Sequence, residues 1–169
     1  MKRSSKRVVG MVLGLVLGGV PVGAGAEMAS WDLDPAHSII EFRVSHMVVS
    51  KTAGKFMDYT GVVEMDAEAQ QFKTIEATIK AASVNTAHEK RDAHLRNSDF
   101  FDVEKYPTIT YKMKSYKKVG DGYEALGDLT MHGVTKEITL AGTFNGVSKD
   151  PWGNMRAGFT GEGKVNRKD

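Results

Sequence analysis

The feature that most constrains how this 169-residue chain can fold is a period-two alternation of apolar and polar residues that recurs from Ile40 to Val165. Ile40, Phe42 and Val44 fall on one face, with Glu41, Arg43 and Ser45 on the other. Tyr59, Gly61, Val63 and Met65 alternate with Thr60, Val62 and Glu64, and Ile75, Ala77, Ile79 and Ala81 with Thr74, Glu76, Thr78 and Lys80. Ile109, Tyr111 and Met113 alternate with Thr108, Thr110, Lys112 and Lys114. The same rule runs through 123–131, 138–144 and 155–165. Successive side chains of a strand point to opposite faces, so this rhythm predicts half-buried strands.

Turn chemistry separates the strands. Asp121-Gly122, His132-Gly133 and Asn145-Gly146 offer residues that tolerate positive φ, as tight hairpins require. Asp150-Pro151-Trp152-Gly153-Asn154 reads as a longer turn, since Pro cannot join a ladder. Short connections imply antiparallel neighbours. One segment breaks the rhythm: Thr86-Ala87-His88-Glu89 fits a capping box, predicting a short helix over 86–97 that lies across the sheet. The expected class is all-β and antiparallel, closed as a barrel or stacked as a sandwich.

The inward face mixes large residues (Phe42, Tyr111, Leu129, Leu140, Phe144, Phe159) with Gly61, Ala77, Ala81, Ala125, Gly127, Gly142 and Gly161. It also carries Met65, Met113, Met131 and Met155. Small residues fill less volume and Met adapts its shape, so a barrel of about eight strands with this lining suits one apolar guest. The alternative is that the glycines are strand kinks and the methionines ordinary core.

The N-terminus follows a different logic. Met1–Arg7 holds four cations and no acid, Val8–Val20 is an apolar run, and Ala24-Gly25-Ala26 is an A-x-A site. This is the layout of a secretory signal peptide over 1–26, with cleavage expected after Ala26, export to the periplasm and a mature domain over 27–169. The rival, a membrane anchor, would need roughly 20 apolar residues. The full chain has 23 Lys+Arg and 21 Asp+Glu. Without the leader's four cations, 19 face 21, a formal −2, which gives no electrostatic case for nucleic acid. There is no cysteine, so lipoprotein anchoring, disulfides and thiolate chemistry are excluded.

Taken in order, a set of motifs resembles the YceI-like family of periplasmic proteins. They are Asp34-Pro35-Ala36-His37-Ser38, Phe42-Arg43-Val44-Ser45-His46, Gly54-Lys55-Phe56 and Ser83-Val84-Asn85-Thr86. Arg91-Asp92-Ala93-His94-Leu95, Asp99-Phe100-Phe101-Asp102 and Tyr106-Pro107-Thr108-Ile109 follow. The series ends with 127–136, Asp150-Pro151-Trp152-Gly153 and Asn166-Arg167-Lys168-Asp169. The resemblance implies a lipocalin-like antiparallel β-barrel that binds a polyisoprenoid, such as an isoprenoid-quinone tail, without an established enzymatic activity. Relatives continue past Asn166-Arg167-Lys168-Asp169 with strands that complete the barrel. A chain stopping at Asp169 is therefore expected to leave a gap with exposed sheet edges, so that either the sequence is truncated or the barrel is completed some other way.

On this reading the guest is lined by Ile40, Phe42, Val44 and His46 near the start of the domain, and by Ile79, Leu95, Phe100 and Phe101 around the helix. Tyr111, Met113, Leu129, Met131, Leu140 and Phe144 complete the set. Phe100 and Phe101 read either as an aromatic gate or, for one of them, as a plug. His46 reads as a polar contact to a head group or as a core histidine. Arg91, Asp92 and His94 could form an acid–base set, but no nucleophile motif accompanies them, and a buried ion pair holding the helix is the better reading. The histidines (His37, His46, His88, His94, His132) show no ligand spacing, so no metal and no cofactor is expected. The expected function is a periplasmic carrier for an isoprenoid lipid or quinone, not an enzyme, with room for transient membrane contact and for a dimer. The alternatives are an accessory to quinone-linked redox chemistry with Arg91, Asp92 and His94 near the head group, and a stress-responsive scaffold with a filled barrel.

Overall fold

The structure, a computed structural model, describes residues 8–19, 28–46 and 50–166, with side chains described for 28–44 and 52–166. Its strands are β1 (Val8–Gly19), β2 (Ala29–Leu33), β3 (Ile39–His46), β4 (Ser50–Phe56), β5 (Tyr59–Asp66), β6 (Gln71–Lys80) and β7 (Val84–Asn85). After the helix α1 (Glu89–Arg96) come β8 (Thr108–Val119), β9 (Gly122–Met131), β10 (Val134–Lys149) and β11 (Met155–Asn166). All pair antiparallel in one sheet, in the order β11-β10-β9-β8-β6-β5-β2-β1-β3-β4-β7.

The sheet curls until β11 meets β1, closing a circuit of strands. β1 runs beside β11 from Val8↔Asn166 to Gly19↔Met155, and on its other side pairs with β2 and then β3. β2 and β3 thus act as one strand interrupted at 34–38. The Val8–Gly19 segment is the stretch whose composition reads as the apolar part of a leader; here its backbone is part of the ladder.

The alternation does what the sequence predicts. Residues of one parity (Ile40, Phe42, Val63, Ile79, Tyr111, Leu129, Leu140, Phe159) are buried in a single apolar cluster inside the curl. Removing such groups from water is the main drive for closure, at about 25 cal/mol per Å² of apolar surface. The turns agree in part. His132 and Gly133 both adopt positive φ in a two-residue hairpin between Met131 and Val134. At the β8–β9 hairpin the left-handed residue is Gly120, not Asp121 or Gly122, because Val119 already pairs with Gly122. Asn145-Gly146 is not a turn: Gly146 (φ +110°) sits in a bulge that shifts register between Phe144 and Gly146, and β10 runs on to Lys149.

The helix also departs from expectation at its start. His88 is the N-cap, its Nδ1 accepting from the Arg91 N–H at 3.3 Å, and the helix spans Glu89–Arg96. Thr86 does not cap it. Its backbone N–H and hydroxyl instead both donate to Asp92 Oδ1, at 2.9 and 2.5 Å.

Close approach of β10 to β11 depends on Gly142, where a Cβ would collide with the Thr160 carbonyl oxygen. Backbone cannot yield as a side chain does. Gly142→Ala is expected to lower stability by about 1–3 kcal/mol, the usual scale of overpacking, read as a fall in the urea midpoint.

Candidate functional site

The candidate site is the interior of the curled sheet. At one end Phe72 of β6 packs against Tyr116, Tyr123, Phe144 and Phe159, with ring centroids 5.0–6.4 Å apart. At the other, Phe42, Phe56 and Phe101 meet at 5.6–6.4 Å. Val63, Met65, Ile75, Ile79 and Leu129 belong to the same continuous cluster.

The structure brings most of the sequence-predicted lining residues together. Ile40, Phe42, Ile79, Tyr111, Met113, Leu129 and Leu140 are buried in the cluster, and Val44, Leu95, Phe101, Met131 and Phe144 are partly buried against it. Phe101 packs onto Phe42 and Phe56, filling one end of the interior. Phe100 lies apart, with its ring 4.8 Å from that of His94. His46 ends β3, and its side chain lies outside the described residues.

Several interior residues are missing from the sequence-derived set. Trp31 and Leu33 alternate in a strand only five residues long, a signal present but short. Phe72 escapes for a different reason. The register shift between Glu64 and Met65 puts both Phe72 and Ile75 inward, which breaks parity.

The small inward residues are seats for large ones rather than spare volume. A Cβ at Gly127 would lie 2.7 Å from Tyr111 Cζ, one at Gly163 2.7 Å from Leu140 Cδ2, and one at Gly161 3.3 Å from the Tyr123 hydroxyl. The glycines thus let neighbouring rings and branches lie flat on the wall. A concavity of about 300 Å³ lies on the outer side over β2, β5 and β6, bordered by Asp32 and Leu33, by Thr60, Gly61 and Val62, and by Glu76 and Thr78.

The interior phenols are all satisfied. Tyr59, Tyr111, Tyr116 and Tyr123 donate to the carbonyls of Ser38, Ala125, Gln70 and Thr160 at 2.6–2.9 Å. Burial pushes the Tyr111 and Tyr123 hydroxyls well above the usual phenol range, so both stay neutral donors. Trp31 differs: it is 5 % exposed and its Nε1 has no hydrogen-bond partner.

Polar groups at the margins fasten the wall. Arg91, Asp92 and His94 do not converge on one centre. Asp92, 7 % exposed, is held by Thr86, and Arg91 donates to the Thr86 hydroxyl and carbonyl at 2.7 and 2.9 Å. The expected ion pair is therefore replaced by two groups sharing Thr86. Its hydrogen bonds outweigh desolvation and hold the Asp92 carboxyl below its ordinary value. His94 turns the other way, 3.2 Å from Asp99. Among the described residues no cluster of His, Asp or Glu could hold a metal ion.

Arg156 reaches both Asp34 and Asp150, tying the 34–38 interruption to the β10–β11 turn. Asp150 Oδ1 also accepts from the Trp152 and Asn154 N–H groups.

Residues 31–169 match the family of the YceI-like domain. The chain is a member of the YceI-like family. Protein YceI of Escherichia coli O17:K52:H18 is 39% identical over 161 residues, covering 94% of this chain and 84% of its own. A crystal structure of the Campylobacter jejuni YCEI protein is 40% identical and superposes with a TM-score of 0.63, over 68% of each chain. Burkholderia cenocepacia BcnA shares the fold at 22% identity, with a TM-score of 0.62 over 76% of this chain and 98% of its own.

Two expectations follow for this YceI-like wall. Thr86→Val keeps the shape but removes the hydroxyl that Asp92 and Arg91 share, and is expected to cost about 1–3 kcal/mol in thermal or urea unfolding. Desolvation raises the Asp150 carboxyl, but hydrogen bonds from Asn154, Arg156 and Trp152 overcome it and hold the group down at about 2. A folded value below the unfolded 3.8 means that this stabilisation is complete above about pH 5 and fades as pH falls towards 2. Asp150→Asn should lower stability at neutral pH and flatten the decline on the acid side, as measured by urea midpoints across pH 2–7.

Proposed function

We propose that this protein is a carrier, without turnover of its own, for a long isoprenoid lipid of the polyprenyl or isoprenoid-quinone type, and that it works in the periplasm after removal of the leader at Ala26. The observation that carries this reading is the single apolar interior, which runs unbroken from the Phe72 aromatic group to the Phe42–Phe56–Phe101 group. An elongated oily interior matches an elongated oily tail, and the kinship with YceI-like proteins points the same way. About 0.3 kcal/mol per heavy atom over about 40 carbons gives on the order of 12 kcal/mol, enough for nanomolar binding. To admit the tail, side chains must move aside. Met65, Met113 and Met131 are the ones suited to it, being unbranched and polarizable.

A second reading, a scaffold with a filled barrel, is favoured by the way Tyr111, Tyr123 and Leu140 occupy the room over Gly127, Gly161 and Gly163.

Native mass spectrometry of protein extracted gently from exporting cells separates the two. The carrier is expected to arrive as a chain beginning at Glu27, with an added mass matching a polyprenyl lipid or quinone. A chain that arrives empty and takes up no added isoprenoid quinone would point to the scaffold.

A further inference from the structure

Trp31 is the place where the interior breaks its own rule. Its strand, β2, turns Trp31 and Leu33 inward and Ser30 and Asp32 outward, and Trp31 faces Val63 of β5 in the ladder. Four interior tyrosines each spend their hydroxyl on a backbone carbonyl. The Trp31 indole N–H is the buried side-chain donor among the described residues that has nothing to bond. More than nine in ten buried polar groups find a partner, and an unpaired one carries a desolvation cost. Phe at this position would fill similar space without that cost.

The β2–β5 ladder stops at Asp32↔Val62. Immediately beyond, Leu33 and Gly61 border the outer concavity shared with Asp32, Thr60 and Val62. Trp31 lies two residues from Leu33, and its ladder partner Val63 lies two residues from Gly61, both of which border that concavity.

We propose that the guest carries an oxygen acceptor, such as a carbonyl, hydroxyl or ether, and that the Trp31 Nε1–H donates to it, seating the oxygenated end of the molecule behind the β2–β5 seam while its tail runs along the interior. This rests on the carrier reading above and narrows it. A pure hydrocarbon would leave the indole unpaired, whereas an oxygenated amphiphile relieves it. A net gain of one hydrogen bond corresponds to about a tenfold preference for the oxygenated ligand.

The test uses two probes, geranylgeranylacetone and the hydrocarbon obtained when its carbonyl is reduced to methylene, with protein purified as cells export it. Each tryptophan gives one indole resonance in a ¹H–¹⁵N spectrum, and Trp152→Phe, at an exposed turn, assigns them. The ketone is expected to move the Trp31 indole N–H downfield while the hydrocarbon leaves it near its unbound position, with the ketone bound about tenfold tighter. Trp31→Phe is expected to bind both probes alike. The proposal is overturned if the Trp31 resonance answers both probes equally, or if Trp31→Phe keeps the preference. Should that variant not fold, the indole resonance of the unaltered protein decides alone. Uptake of both probes without discrimination leaves the carrier reading standing and removes the role of Trp31. Uptake of neither removes both.

Discussion

Half of nearly every strand in this protein is oily, and a single sheet has only itself with which to cover that half. The rest of the architecture follows from this shortage of cover. The sheet curls, the inward residues of opposite walls meet, and the last strand comes round to the first at the β1–β11 ladder. Closure also satisfies backbone groups that an open edge would leave bare. The inward glycines serve the same need: at Gly127 and Gly142 a side chain would hold apart surfaces that must touch.

Polar chemistry is confined to the margins, where it orients pieces that packing alone would leave loose. Thr86 gathers Asp92 and Arg91, and Arg96 donates to the carbonyls of Ala82 and Val84, so the short helix is pinned to the wall by hydrogen bonds more than by apolar contact. Arg156 performs the matching service on the outside, bridging the kink at Asp34 and the turn at Asp150. The exposed ion pairs along the strands, such as Lys112–Glu76 and Lys80–Asp58, decorate the outer face and contribute little individually.

How much of this is legible in the sequence depends on which signal a segment carries. β3, β5, β6 and β8 to β11 announce themselves because apolar or small inward residues alternate regularly with polar ones. β4 does not, since Ser50–Phe56 offers one large apolar residue and owes its form to pairing with β3. Bulges are the second blind spot: a shift of one residue near Met65 places Phe72 inside, against the expected parity. At Thr86 a local motif lost to a better partner, because the Asp92 carboxylate, six residues on, accepts from both the hydroxyl and the backbone N–H. For the candidate site, membership of the interior is readable for Ile40, Phe42, Tyr111 and Leu140. That the small residues are occupied seats is not, because it depends on which neighbour leans across them.

The β1 strand has a consequence for any export of the chain. The Val8–Gly19 segment lies along the full length of β11 and also borders β2 and β3. A stretch of backbone cannot be zipped into a ladder and threaded through a translocation channel at the same moment. If that segment serves as an export address, early folding would conceal it, so delivery would favour chains still unfolded when they reach the membrane. Clipping it off afterwards would take away the strand that pairs with β11 on one side and with β2 and β3 on the other, turning a closed circuit into a sheet with free edges.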